Sequence, residues 1–454
     1  MCGEYNKLLF TLNEGMFAVI FGYILPFLAL CSLYFYTTHF TRRYTIRFIE
    51  WSSRKQQPFV RAVQRIRLTI PPTARGPADY AVLSYTLGVP DVKYQRRSLP
   101  PQLFDGLGSV SMDQVLVPDA QSNILICTPM AASARAPCVK RLVSAATAEG
   151  HNCYVLISRG YGGTILDSDA QEQYLDEYLN IQDIYEAVYD LSQNSDLPIH
   201  LVGFSLGGMR ICHFIGDLVL KAGLVSGSQE GVDHDASTLY EQYFTRLNLV
   251  QMASKDKKLV TKIYKAITSV AILFANLDKR QAYLKNLKTH ISIGSYQREY
   301  IAKNKDALEV YAQRTGREID FDSILQNQAL RTMQDFDREV FARLVVPSQS
   351  LDDYYDLIFP SAVCLEAVAI LSRTTPILFL GAYDDTVTGP LLPILAHMTD
   401  SYQGKANLFT RSSARNQIVA IQYRQGEHLG IIGANGKDAA SLVLIHWFAQ
   451  FLSY

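Results

Sequence analysis

One serine of the 454-residue chain stands in a pattern suited to nucleophilic chemistry. Leu201 to Arg210 reads LVGFSLGGMR, so Ser205 lies between Gly203 and the pair Gly207 and Gly208. A serine hydroxyl attacks poorly unless a neighbouring base takes its proton, so the surroundings must supply the reactivity. The G-x-S-x-G spacing supplies geometry. Where a buried strand turns directly into a helix, the serine backbone is strained, its Oγ projects above the sheet, and side chains two positions away would collide. Glycine removes the collision. Ser205 follows the apolar run IHLVGFS and precedes LGGMRICHFIGDLVLKAG, a strand-turn-helix context. The helix start would aim free N–H groups, including that of Leu206, at the place where an oxyanion forms. With 27 glycines in the chain, the bare pentad arises by chance only about 0.1 times.

A base and an acid must follow. In this strand-turn-helix scheme the chain order is serine, acid, histidine. After the elbow the histidines are His234, His290, His397, His428 and His446. His428 sits in QGEHLGIIG, a glycine-bounded loop directly after the run QIVAIQY, where an imidazole can reach back over a sheet. His397 in LLPILAHMTD and His446 in the terminal helical segment read as helix-packed residues. PILFLGAYDDTVTGP places Asp384 and Asp385 just past another apolar run, and one carboxylate there would orient the imidazole and stabilise its cation. Glu427 adjoins His428 and points elsewhere as its chain neighbour. The glycine-rich RGYGGT (Arg159–Thr164) lacks the Lys-[ST] and the spacing of phosphate-cradling loops and reads as a tight turn.

These residues need a scaffold, and the chain reads as one. Short apolar runs at Asn123–Pro129, Cys153–Gly160, Ile199–Ser205, Ile267–Ala275, Pro376–Ala382 and Gln417–Tyr423 suit strands of a parallel sheet covered on both faces. Helical spacing fills APCVKRLVSAATAEGH, QEQYLDEYLNIQDIYEAVYDLSQNS and the closing AASLVLIHWFAQFL. The alternation predicts an open, doubly wound α/β domain. DGLGSVSMDQVLVP alternates around a D-G turn, as an early antiparallel pair would. Two long excursions, about 223–266 and 278–359, interrupt the alternation and are placed to shape a pocket over the strand ends.

Composition narrows the function class. Lys+Arg and Asp+Glu balance at 43 each, so no net field points to nucleic acid. The seven cysteines, Cys2, Cys31, Cys127, Cys138, Cys153, Cys212 and Cys364, are odd in number and never in a C-x-x-C pair. That spacing speaks against a disulfide framework and a zinc site. No metal or organic cofactor is implied, and nothing speaks to an oligomeric state. The stretch GMFAVIFGYILPFLALCSLYFYTTHF carries no Asp, Glu, Lys or Arg between Glu14 and Arg42. About 20 apolar residues cross a bilayer core, so a transmembrane helix is expected at about 16–38. Arg42, Arg43, Arg47, Arg54 and Lys55 follow it, which puts the large C-terminal portion on the cytoplasmic side of a single-pass anchor. The expected layout is an anchor and basic flank at 1–60, a linker and extension at 61–104, and a catalytic domain at 105–454.

The series SRGYGGT, GFSLGGM, DFDREVFARL…SLDDYYDLIFP, GAYDDTV and GEHLGI resembles the membrane-anchored alpha/beta-hydrolase-domain family. That family includes animal lipases and phospholipases, yeast medium-chain ethanol ester synthase/esterases and bacterial putative esterases. The resemblance covers roughly Asp105 to Tyr454 and the anchor. It implies the α/β-hydrolase fold, a mostly parallel sheet with helices on both faces and helical insertions over the strand ends. It matches Ser205 to the nucleophile, His428 to the base and Asp385 to the acid, with Asp384 as the alternative. Asp385 is preferred because D-[ST]-[VI]-x-x-P resembles the acid loop of cutinase-like members. DFDREVF and LDDYYD match segments that precede the acid strand and help form the acyl pocket. The resemblance implies cleavage of carboxylic esters of lipids, acylglycerol or phospholipid, through an acyl-enzyme released by water or by an alcohol. One departure stands out. The family's oxyanion loop reads P-G-L-T-G, and here it is PMAAS, Pro129 to Ser133, so Met130 or Ala131 would supply the second N–H beside Leu206. The altered loop admits a silent membrane-tethered binding protein as a rival, and an esterase for small soluble esters is another.

Overall fold

The structure, a computed structural model of the chain, describes residues 42–45, 51–52, 57–70, 83, 86–104, 108–164, 166, 179–222, 257–279, 283, 287–346, 348–360, 362–391, 417–423, 428 and 438–451. The expected membrane helix at about 16–38 lies outside these residues, as does most of the 223–266 excursion. Among the described residues no helix is long and apolar enough to cross a membrane.

Eleven strands are present among the described residues: β1 (Arg42–Thr45), β2 (Trp51–Ser52), β3 (Arg67–Ile70), β4 (Gln95–Leu99), β5 (Val110–Val115), β6 (Ser122–Cys127), β7 (His151–Ile157), β8 (Ile199–Phe204), β9 (Ile267–Leu273), β10 (Ile377–Ala382) and β11 (Ile418–Tyr423). β1 and β3 form a small antiparallel pair. The other nine form one sheet in the order β2-β11-β10-β9-β8-β6-β7-β5-β4. From β7 to β11 every neighbouring pair is parallel, and the antiparallel pairings lie toward the two edges. The six apolar runs of the sequence are therefore the six parallel strands. A mostly parallel sheet with helices on both faces is consistent with the expected α/β-hydrolase fold.

Each parallel strand is predominantly apolar because both of its faces are covered. Within β6, Leu125 and Cys127 pack on one side of the sheet, and Ile124 and Ile126 pack on the other. β10 divides the same way, Ile377 and Phe379 against Leu378 and Leu380. The first face is covered by helices Gln182–Asn194, Leu206–Lys221 and Ala362–Leu371. The second is covered by Gln57–Gln64, Pro137–Ala148 and the terminal Ala439–Ala449. The chain leaves β6 for β7 on one side and returns to β8 on the other side of β6. Such a reversal opens a crevice at the carboxyl ends of the strands.

The folded unit reaches further back than residue 105. Phe59, Val60 and Val63 of helix Gln57–Gln64 are buried, and the Phe59 ring meets the Trp447 indole edge-on at 5.0 Å. The expected antiparallel pair around Asp105–Gly106 takes another form: β5 pairs with β4 through Leu99↔Val110 and Arg96↔Asp113. β4 reads QRRSL and shows no apolar alternation, because its charges are neutralised by the neighbouring strand β5 and by the helix Gln182–Asn194. Arg96 makes a two-bonded pair with Asp113 at 2.7 and 2.9 Å, and Arg97 pairs with Asp190 at 2.8 Å.

The excursion at 278–359 is helical, with Leu287–Lys303, Lys305–Arg314, Phe321–Gln326 and Leu351–Ile358 among its helices. It is tied internally where DFDREVF meets LDDYYD. The buried Asp337 carboxylate accepts from Tyr355 Oη–H at 2.8 Å and from Gln297 Nε2–H at 2.6 Å, within a π-helical turn at Asp337–Phe341. It is tied to the sheet layer by His213, on helix Leu206–Lys221, whose Nε2–H donates to the Ile358 carbonyl at 2.9 Å.

Two buried histidines make the fold sensitive to acid. Burial pushes the His213 pKa down to about 4, partly opposed by the Ile358 carbonyl. Burial, with a smaller contribution from His151, pushes His200 down to about 3. Both are neutral in the folded protein and protonate near 6.5 once unfolded. The unfolded chain therefore binds more protons below that pH, and stability falls from pH 6.5 toward 4 for His213 and toward 3 for His200. At pH 5 each costs about 2 kcal/mol relative to pH 8. Thermal melts at pH 8 and pH 5 should show a clearly lower Tm at pH 5, and equal values would contradict the assignment of these two residues.

Candidate active site

The elbow is built as the glycine spacing requires. Ser205 directly follows β8 and caps the helix Leu206–Lys221 with φ +52° and ψ −113°. That positive φ is rare for a residue with a Cβ and is a strained conformation. Its own N–H donates to the Leu273 carbonyl at 2.7 Å, and its carbonyl accepts from Gly208 and Met209 N–H at 3.0 and 3.2 Å. A Cβ at Gly203 would stand 2.5 Å from the Gly207 carbonyl oxygen, and one at Gly207 would stand 2.2 Å from the Cys127 carbonyl oxygen. The second contact joins the helix start to the end of β6, so the elbow closes only if position 207 has no side chain. Gly207→Ala should push these backbones apart and cost about 3 kcal/mol or more, at the upper end of overpacking effects. Chemical denaturation of the purified variant checks this, and a stability equal to wild type would contradict the close packing.

Three side chains meet over this turn. His428 Nε2 lies 2.9 Å from Ser205 Oγ, and His428 Nδ1 lies 3.0 Å from Asp385 Oδ2. A carboxylate only accepts, so Nδ1 carries the proton and Nε2 offers its lone pair to the serine hydroxyl. Of the adjacent aspartates the structure brings Asp385 to the imidazole. Asp384 lies one position back on the turn, half-buried. Asp385 Oδ1 accepts from the N–H groups of Val387 and Thr388 at 2.8 and 2.9 Å, and Oδ2 also accepts from Thr388 Oγ1–H at 2.5 Å. Burial raises the Asp385 pKa, but the His428 charge and the hydrogen bonds from His428 and Thr388 outweigh it. The net effect holds the carboxyl below its ordinary range. The acid is therefore a charged, immobilised acceptor.

The loop after β6 adjoins the same turn. Ala131 takes a positive φ of +56°, and Ala132 N–H closes the turn on Pro129 O at 3.2 Å. The small Ala131 side chain makes that backbone accessible where a bulkier residue would resist. Leu206 is the first residue of its helix, so its N–H has no intrahelical acceptor. Met130 is partly buried against the core. The RGYGGT segment forms the tight turn expected of it, with Gly160, Gly162 and Gly163 at positive φ and Thr164 N–H on Tyr161 O at 2.8 Å. Gly162 abuts the Pro129–Ser133 loop, where an added Cβ would come within 2.9 Å of Ser133 Cβ.

Several supporting residues went unnoticed in the sequence. Arg210, five residues past Ser205 and almost wholly buried, donates to Asn180 O at 2.6 and 2.8 Å and to Ser158 Oγ at 3.2 Å. Asp183 is held by Arg159 at 2.8 Å and by Asn180 Nδ2–H at 2.9 Å. The arginines thus lock the turn after β7 to the elbow helix. An arginine inside an apolar helix was the signal available, since such a side chain is buried only when paired. The remaining histidines are placed elsewhere: His290 is buried in the helical excursion, His446 is exposed on the terminal helix, and His234 and His397 lie outside the described residues. Glu427 also lies outside them. Among the described residues no group of acidic, histidine and cysteine side chains could hold a metal ion.

No protein-family model matches the chain. No curated protein sequence matches it. Among solved structures it is similar to the esterase domain of a Rhodothermus marinus protein, at 12% identity and a TM-score of 0.38 over 80% of this chain and 100% of that one. It is also similar to a serine hydrolase from the bacterium Cycloclasticus zankles, at 13% identity and TM-score 0.40 over 79% of this chain and 98% of that one. A hyperthermophilic esterase from Pyrobaculum calidifontis aligns at 12% identity and TM-score 0.37, over 83% and 90%. Likenesses this distant add no weight to the strand order and the side-chain geometry.

Proposed function

We propose that the protein is a serine hydrolase that cleaves carboxylic esters of lipids through an acyl-enzyme. The observation that carries this reading is the unbroken line from Ser205 Oγ through both imidazole nitrogens of His428 to the Asp385 carboxylate, 2.9 and 3.0 Å long. His428 takes the hydroxyl proton as Ser205 attacks the acyl carbonyl, and it returns that proton to the leaving alcohol. Asp385, already ionised, stabilises the imidazolium and keeps the ring in the right tautomer. The developing oxyanion rests on the Leu206 N–H and on one N–H of the Pro129–Ser133 loop, Met130 or Ala131. A water molecule, or an alcohol in acyl transfer, then enters on the same base and frees Ser205.

The lipid part of the reading is supported by the uncharged apolar stretch between Glu14 and Arg42 and by the family resemblance. A single membrane-spanning helix there would tether the site beside its substrate, with the catalytic domain on the cytoplasmic face. The test is a substrate series on the full chain in detergent: short-chain and long-chain p-nitrophenyl esters, a monoacylglycerol and a phospholipid, together with labelling by a fluorophosphonate probe. Labelling with preference for the long-chain and glycerolipid substrates is the expected result. Labelling with preference for short soluble esters would overturn the lipid assignment alone. Absence of labelling would overturn the enzyme reading in favour of a silent binding protein.

A further inference from the structure

We infer that Phe274 is a positioning residue for His428, holding the imidazole in line between Ser205 and Asp385; this rests on the serine-hydrolase reading above. Phe274 follows β9 directly and has a φ of +51°, a left-handed backbone that a bulky side chain rarely takes. The kink has a visible consequence. Along β9 the side chains alternate between the two faces, Val270 and Ile272 on one and Ala271 and Leu273 on the other. In a continuing strand Phe274 would point to the Ile272 side. Instead it packs on the same side as Leu273, and Ala275 returns to the opposite face. The strained residue throws its ring onto the face that carries the base. There the ring is 1% exposed, with its centroid 6.0 Å from the His428 imidazole at an interplanar angle of 70° and 6.5 Å from the Tyr423 ring.

The same turn touches Ser205 and His428 and is bonded to the strand that leads to Asp385. The Leu273 carbonyl accepts the Ser205 N–H at 2.7 Å, and Phe274 N–H donates to Leu380 O at 2.7 Å, in the strand that runs into the Asp385 turn. Backbone strain persists where the surroundings over-determine it, and such positions cluster at functional sites. The physical task left for the ring is specific. The imidazole is tethered through its Cβ and held at Nδ1 and Nε2, and rotation about its Cα–Cβ and Cβ–Cγ bonds would carry Nε2 away from Ser205 Oγ. The Phe274 ring, packed edge-on against the imidazole, opposes that rotation, so each turnover starts with the base aligned.

The test uses the full chain in detergent and the variant Phe274→Leu, which keeps an apolar side chain and removes the flat ring. With wild-type protein labelled by the fluorophosphonate probe, the variant should keep its melting temperature within a few degrees and its KM within about twofold, while kcat and the labelling rate fall by about tenfold or more. A folded variant with wild-type kcat would overturn the inference. So would a variant whose loss lies in KM, because that describes a pocket wall. Should Phe274→Leu fail to fold, the wild-type protein decides. With selectively labelled Phe and His, a nuclear Overhauser contact must join a Phe ring proton to the imidazole resonance that disappears in His428→Gln, and its absence overturns the inference. Wild-type protein that the probe does not label would remove the hydrolase reading and this inference together. Labelled wild type with an unaffected variant removes this inference alone.

Discussion

Ser205→Ala should lower kcat for ester hydrolysis by about 10⁴ to 10⁶, abolish fluorophosphonate labelling and leave the melting temperature unchanged. The reason is that one oxygen is removed and nothing else. Position 205 keeps its Cβ, its strained φ of +52° and its N–H bond to Leu273 O, so the elbow and the helix behind it stand as before. What disappears is the atom 2.9 Å from His428 Nε2, and with it the covalent intermediate. His428→Ala should cost about as much, since a hydroxyl without a base is scarcely nucleophilic. The double variant should be no worse than either single one, because the two residues act as a unit. Residual turnover would come from the oxyanion donors alone. Kinetics with a p-nitrophenyl ester on the three purified variants checks all of this. Additive losses would show that the serine and the histidine work separately.

The second large effect separates two neighbouring aspartates. Asp385→Asn should lower kcat by about 10⁴, whereas Asp384→Asn should leave it near wild type. The asparagine would still fill the pocket and accept from Val387 and Thr388 N–H through its carbonyl. Its NH₂ would then stand where Oδ2 stands, 3.0 Å from His428 Nδ1, and would donate to that nitrogen. The imidazole proton is driven to Nε2, the nitrogen that must receive the serine proton, so the base is held in the wrong tautomer. Asp384 is half-buried one position earlier, and the carboxylate bonded to His428 Nδ1 is that of Asp385. The effect of acid has the corresponding sign. Asp385 is held below the ordinary carboxylate range by His428 and Thr388 against its burial. The stability that its hydrogen bonds lend the fold is present above the ordinary carboxylate pKa and is lost as the pH falls through the lowered one. A larger loss in Asp384→Asn than in Asp385→Asn would reverse the assignment.

Much of this architecture is written in local pattern. The six parallel strands stand out because burial on both faces forces unbroken apolar runs. The elbow stands out because its contacts at Gly203 and Gly207 exclude a Cβ, a demand visible in residue type alone. His428 and the Asp384–Asp385 pair follow from type and from place, at the ends of apolar runs. What resisted reading were features whose reason lies across the fold. β4 is a polar strand because its arginines meet Asp113 and Asp190, 17 and 93 residues away. The choice between Asp384 and Asp385 turns on which carboxylate faces inward, a matter of a few backbone dihedrals. Phe274 departs from strand alternation at a single residue, and no periodicity foretells which way its ring falls. The sequence alone determined which groups are present and which element carries each, because secondary structure and burial answer to neighbours in the chain. Only the tertiary structure decided that Ser205 and His428, 223 residues apart, come within a hydrogen bond of each other, because that distance is set by the sum of many packed contacts between strands.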